Sequence, residues 1–201
     1  LYTMPYSTIA KYDVGKRPSP EWPGKEQSPA IKPLATELID SVENYVKANG
    51  LDPMRYNIEI KCRKGKDEGK NWPEYHEFVD KCMELLLSKN LGDRLVVQCF
   101  DARALNYMHE KYPQVKLSYL IGKKDTDWDT YMGKLNFTPE WLSPEFVIVD
   151  QTMVDNCRKA GIRLVPWTVD NEADIRRILD LHVEAIISNY PDRVLKITRG
   201  Y

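Results

Sequence analysis

From residue 56 onward the sequence repeats one unit, a short β-rich run followed by a helical stretch of ten residues or more. The runs cover residues 56–62, 94–100, 116–121, a piece within 140–149, 163–169 and 185–189; the helical stretches cover 75–89, 102–111, 126–135, 151–160 and 172–181. Strands that recur every 20 to 40 residues or so with helical crossovers pair in parallel, because a tight hairpin cannot return the chain in the same direction. Such a series either stays open as a doubly wound sheet or closes into a barrel of eight strands. A dinucleotide fold would place a glycine-rich turn after its first strand, and Cys62-Arg63-Lys64-Gly65 is not one. The reading is an α/β protein of (β/α)8 TIM-barrel type with about six of the eight strands in this chain, the other two being expected before Leu1.

Residues 1–31 read as a loop-rich N-terminal segment of the same domain, and residues 32–201 as the C-terminal part of the barrel. Pro18, Pro20, Pro23 and Pro29 break any long element in the first segment, which keeps one helical turn over residues 7–11. Its aromatics, Tyr2, Tyr6, Tyr12 and Trp22, argue against full disorder. A first full helix is predicted over 34–49, with Leu34, Leu38, Val42 and Val46 on one face and Gly50 as its stop.

The rest of the composition excludes more than it assigns. A net charge of -1 without a recurrent basic and aromatic tract gives no footprint for nucleic acid. No apolar run approaches the roughly 20 residues of a membrane span, so no stable membrane insertion is expected. Cys62, Cys82, Cys99 and Cys157 lack zinc-site spacing and each sits in an apolar pattern, which predicts free, buried thiols.

Chemistry is concentrated in Tyr56-Asn57-Ile58-Glu59-Ile60-Lys61. Alternation puts Ile58 and Ile60 on one face and Asn57, Glu59 and Lys61 on the other. A carboxylate and an ammonium on a buried strand are costly unless paired or occupied by a ligand, so this face points into a site, forms an internal Glu59–Lys61 pair, or lies on a wet edge. Barrel active sites lie at the C-terminal strand ends, where the sequence also places Gln98, Tyr119, Trp167 and Asn189. Gln98 shares its face with Val96 and Phe100. His76, His109 and His182 fall on the helical stretches, so no general acid or base is evident. Asp101 and Asp192 read as helix N-caps.

Four segments in order resemble the glycerophosphodiester phosphodiesterase family. Asn57-Ile58-Glu59-Ile60-Lys61 is similar to its Glu-x-Lys strand, and Val97-Gln98-Cys99-Phe100-Asp101 to its Gln-Ser-Phe segment. The run from Ala160-Gly161 through Trp167-Thr168-Val169-Asp170 resembles its Trp-Thr-Val-Asn strand, and the run from Glu184 to Asp192 its Ile-Ile-Thr-Asp-x-Pro-Asp. Tyr12-Asp13-Val14-Gly15 fits the loop region before them. The resemblance implies a barrel that uses a divalent metal, Mg2+ or Ca2+, to hydrolyse small-molecule glycerophosphodiesters to an alcohol and glycerol 3-phosphate. It implies Glu59 as a metal ligand, Lys61 as a phosphate contact, and Gln98, Phe100 and Trp167 as substrate-pocket residues. The family's common use in scavenging leans towards a periplasmic or secreted setting.

The departures from the family pattern are specific. Its histidine pair and its Glu-x-Asp metal pair belong to the first two strands and have no counterpart here, so the acid and base are expected upstream of Leu1. Cys99 stands for its Ser, Asp170 for its Asn and Asn189 for its Asp. The basic-rich insertion 63–72 lengthens the loop after Glu59, either contacting the headgroup or lying solvated. The alternative is a non-catalytic barrel that binds through remnants of the site; a sugar isomerase or aldolase barrel would draw more ligands from the later strands.

Overall fold

The computed structural model describes residues 2–18, 20, 24, 26–66, 69 and 71–199, so Trp22 and Pro23 lie outside the described residues. Its centre is a five-stranded sheet: β1 (Tyr56–Glu59), β2 (Leu95–Cys99), β3 (Lys116–Ile121), β4 (Trp141–Pro144) and β5 (Arg163–Leu164). All neighbours are parallel, and spatial order follows chain order, β1-β2-β3-β4-β5. A doubly wound sheet reverses direction at a switch point, whereas a barrel is wound one way throughout, so this order is that of the barrel. The sheet also curls: Asn57 of β1 lines the same cavity of about 160 Å³ as Val165 and Ala185 on the opposite edge.

Register separates two faces. Ile58, Val97, Cys99, Leu117, Tyr119, Ile121, Leu142 and Leu164 belong to the helix-facing side and to the continuous core or its margin. Against them pack α3 (Tyr75–Leu87) through Val79 and Met83, α4 (Ala102–Lys111) through Leu105 and Met108, α6 (Gln151–Ala160) through Val154 and Cys157, and α7 (Glu172–Asp180) through Ile175 and Ile178. Each such side chain, once buried, contributes about 1.5–3 kcal/mol relative to exposure. The other face carries Asn57 and Glu59, Val96 and Gln98, Ser118 and Leu120, and Trp141 and Ser143.

The crossover helices begin where a side chain takes the first free N–H groups. Asp101 accepts from Arg103 N and Asp150 from Met153 N, and Gly161, at φ 70°, closes α6 in the left-handed conformation. The remaining helices are α1 (Tyr6–Ile9), α2 (Ala35–Ala48), α5 (Trp128–Met132) and α8 (Pro191–Thr198). Within the N-terminal segment, Val14 N donates to Ala30 O at 2.8 Å, so the loop doubles back on itself.

Five expectations are corrected. The run 185–189 is not a strand, although Ala185 N and Ile187 N donate to Leu164 O and Pro166 O and hold it beside β5. The run 163–169 is regular for only two residues before a single bridge from Trp167 to Glu145. Helix α2 buries Ile39 and Val46, while Leu34 and Leu38 are exposed: Leu34 is the N-cap, ahead of the first turn, and Ile39 rather than Leu38 enters the core. Asp192 does not cap α8: Tyr190 is the N-cap, without a side-chain bond, and Pro191 takes the first turn. His182 lies beyond α7 in the left-handed region, at φ 55°.

Candidate active site

Alternation along β1 delivers Glu59 to the inner face at the C-terminal end of the sheet. Its side chain is 24% exposed and meets Lys61 Nζ at 2.7 Å, while Lys61 itself is 73% exposed. The pair that the sequence left open is therefore present, with its carboxylate sunk and its ammonium at the rim. An ammonium this exposed is held weakly by its partner and can turn to another anion.

Next to Glu59 in register is Gln98. Its Oε1 accepts from Asn57 Nδ2 at 3.1 Å and from Ser143 Oγ at 3.4 Å, and Ser143 Oγ shares a hydrogen bond of 2.7 Å with Ser118 Oγ. Four strands thus contribute to one polar layer inside an otherwise apolar sheet, which accounts for a buried amide at this position. Trp167 Nε1 donates to Ser143 O at 2.8 Å, and its ring meets that of Phe100 edge-on, with centroids 5.5 Å apart. The mouth accordingly has a charged rim, a polar floor and an aromatic wall. Glu59, Lys61, Gln98, Phe100 and Trp167 all belong to this inner side.

The remaining strand-end residues divide differently. Tyr119 is buried on the helix-facing side, where burial pushes its hydroxyl up to about 12. Asn189 turns to Asp170, donating from Nδ2 at 2.9 Å and from its backbone N at 2.8 Å. Cys99, in the place of the family's serine, accepts Asp101 N at 3.3 Å at the turn into α4. Contact with Cys99, then burial, pushes the neighbouring Cys62 thiol well up; all four cysteines are free, with Cys62, Cys99 and Cys157 buried as expected and Cys82 only half-buried. His76 bonds Glu74 and meets the Tyr75 and Tyr107 rings, and His109 stacks on Phe137, so both are engaged in the helical layer.

Ser118, Ser143 and Glu145 escaped the sequence reading. Extending the inner parity of Gln98 across the register would have found them, Glu145 being the position after Ser143 on that face, with its carboxylate accepting Lys123 N at 2.9 Å. For a metal, Glu59 offers one hard oxygen of the right kind. Among the described residues no three His, Cys, Asp or Glu converge, so the full oxygen shell of Mg2+ or Ca2+ is not assembled by them. Nor is any helix among them long and apolar enough to cross a membrane.

Comparison with known proteins supplies an independent line. Residues 2–193 match the glycerophosphoryl diester phosphodiesterase family. The glycerophosphodiester phosphodiesterase of Bacillus subtilis (strain 168) is 29% identical over 120 residues, which are 59% of this chain and 41% of that protein. A solved structure from Silicibacter pomeroyi DSS-3, whose name places it provisionally among the glycerophosphoryl diester phosphodiesterases, superposes with a TM-score of 0.80 at 22% identity, covering 96% of this chain and 67% of that one. An Oleispira antarctica phosphodiesterase solved with the product sn-glycerol-3-phosphate gives a TM-score of 0.68 at 20% identity, over 96% and 69% of the two chains. The chain therefore spans about two fifths of the Bacillus relative and about two thirds of each solved structure.

Proposed function

This chain belongs to the glycerophosphoryl diester phosphodiesterase family, and from that premise we propose that the protein hydrolyses glycerophosphodiesters to an alcohol and sn-glycerol 3-phosphate. The observation that carries the reading is the Glu59–Lys61 pair at the C-terminal mouth of a barrel-ordered sheet. Glu59 would hold a divalent cation, Mg2+ or Ca2+, as one of several oxygen donors, and the cation when bound supplies Lewis-acid polarisation of the phosphoryl oxygens. Lys61 turns from Glu59 to the diester phosphate and holds the charge that grows on its oxygens during displacement. Phe100 and Trp167 exclude water from one side of the bound diester. Gln98, committed to Asn57 and Ser143 through its carbonyl oxygen, keeps the floor of the mouth in register with Glu59. Acid–base work is assigned to none of the described residues.

The test is release of sn-glycerol 3-phosphate from glycerophosphodiesters by the intact protein, with divalent cation added and chelated. Glu59→Gln is expected to lower metal affinity and nearly abolish turnover at an unchanged thermal midpoint. Tight diester binding without any cleavage in the wild type would mean a binding module instead.

A further inference from the structure

A cavity of about 690 Å³ opens beside the strand ends that carry Lys61 and Phe100. That is the size of a small-molecule site. Its walls include Arg63, Lys64, Asp101, Arg103, Lys134 and the Phe100 ring, with the buried Tyr119 behind.

Among the described residues the charges in this wall do not cancel. Asp101, the sole carboxylate of the described lining, is committed to Arg103, whose Nη2 lies 2.6 Å from its Oδ2, and to the α4 N-terminus. Lys134 reaches Asp125 only at 3.5 Å. Arg63 and Lys64 form no ion pair with another described residue. Among the described residues, Arg63, Lys64 and Lys134 therefore line the cavity with at most one long ion pair among them, and Arg63 and Lys64 follow Lys61 closely in the chain. Phe100 is shared: one side lines this cavity and its ring contacts Trp167 in the mouth.

A diester whose phosphate lies at Lys61 has two arms. The glycerol arm is common to all such substrates, and the alcohol arm is what varies. We propose that this cavity receives the alcohol moiety and selects one that carries its own anionic group, such as a phosphorylated polyol, over a cationic one such as choline. This rests on the diesterase reading and adds the class of substrate. Cations close to a phosphate attract it through charge-assisted hydrogen bonds, whereas a quaternary ammonium meets repulsion from the same groups.

The probe is inositol 4-phosphate, titrated calorimetrically into the intact protein at low ionic strength, with inositol and choline as controls. Saturable binding of the phosphate alone is expected, weakened about tenfold or more by the double variant Arg63→Ala/Lys64→Ala. Both residues are exposed, so the variant should keep its fold, and its thermal midpoint checks this. Absence of binding, or equal binding in the double variant, overturns the proposal. Loss on Lys61→Met but not in the double variant also overturns it, because the ligand then sits at the diester phosphate position. Turnover keeps the two readings apart. Hydrolysis of choline and phosphoinositol diesters with equal kcat/KM removes this inference and leaves the diesterase; binding of inositol 4-phosphate without hydrolysis of any diester removes the diesterase and the alcohol assignment, leaving an anion site.

Discussion

Asn189 donates its side-chain amide to the Asp170 carboxylate at 2.9 Å, so two of the three substitutions that set this chain apart from its family's motifs touch each other. The family pattern has Asn at the first position and Asp at the second; here the two residue types are exchanged. The two departures thus meet in one hydrogen bond, which ties the loop after β5 to the segment before α8.

The exchange predicts a coupled pair. Asn189→Asp alone sets two carboxylates against each other and should cost about 1–2 kcal/mol. Asp170→Asn/Asn189→Asp should recover most of that. Urea midpoints for the two single variants and the double form the cycle; additive effects would mean that the contact contributes nothing.

A second prediction concerns acid. The Glu43 carboxylate accepts from both terminal nitrogens of Arg94, at 2.7 and 2.8 Å, and from the Tyr56 hydroxyl at 2.7 Å, joining α2 to the starts of β1 and β2. Arg94 first, then Tyr56, hold Glu43 down at about 2. A depressed carboxylate contributes stability above its unfolded value and loses it as pH falls through the folded one. The stability difference between wild type and Glu43→Gln should therefore be flat from neutrality to about pH 5 and vanish towards pH 2. Chemical denaturation across that range measures it, and a pH-independent difference would count against the linkage.

These two contacts also mark what a sequence can and cannot disclose. The spans 102–111 and 151–160 were readable to the residue, since Asp101, Asp150 and Gly161 punctuate them locally. Glu59 was readable because alternation with Ile58 and Ile60 exposes a misplaced charge. The α2 face was legible only in part: Val46 is buried as its spacing implies, but Ile39 enters the core while Leu34 and Leu38 stay exposed, a choice set by tertiary packing that spacing does not carry. The sixth run reads as a strand by composition, yet Glu184 Oε2 occupies the Leu164 N–H at 2.7 Å and a regular ladder does not start. Ser118 and Ser143 are silent until register sets their hydroxyls 2.7 Å apart.

The N-terminal loop gives a third prediction. Asp13 Oδ1 accepts from Gly15 N and Lys16 N, each at 2.9 Å, and a Cβ at Gly15 would stand 1.9 Å from Ser28 O. That clash is with backbone and has no cheap escape. Gly15→Ala should therefore part the two limbs of the loop, raising amide exchange at Val14, whose N–H is held by Ala30 O. Unaltered exchange there would show that the limbs can shift together.

The last prediction separates the two readings of Lys61. If its ion pair with Glu59 were only structural, removing the ammonium would leave a carboxylate 24% exposed, able to recruit water, and the loss would appear in stability. If instead the ammonium turns to the diester, its work is done on charge that develops in displacement, and removal lowers the turnover number more than it raises KM. Lys61→Met is expected to reduce kcat by about tenfold or more, equivalent to about 1.4 kcal/mol, with the thermal midpoint nearly unchanged. The 73% exposure of Lys61 favours this outcome, since a surface ion pair contributes only about 0–1 kcal/mol to folding. Lys61→Arg serves as the companion: it keeps the charge but not the compact ammonium, so partial recovery of kcat is expected from it and none from Met. A fully active Lys61→Met protein with a lowered midpoint would assign the pair to the fold alone.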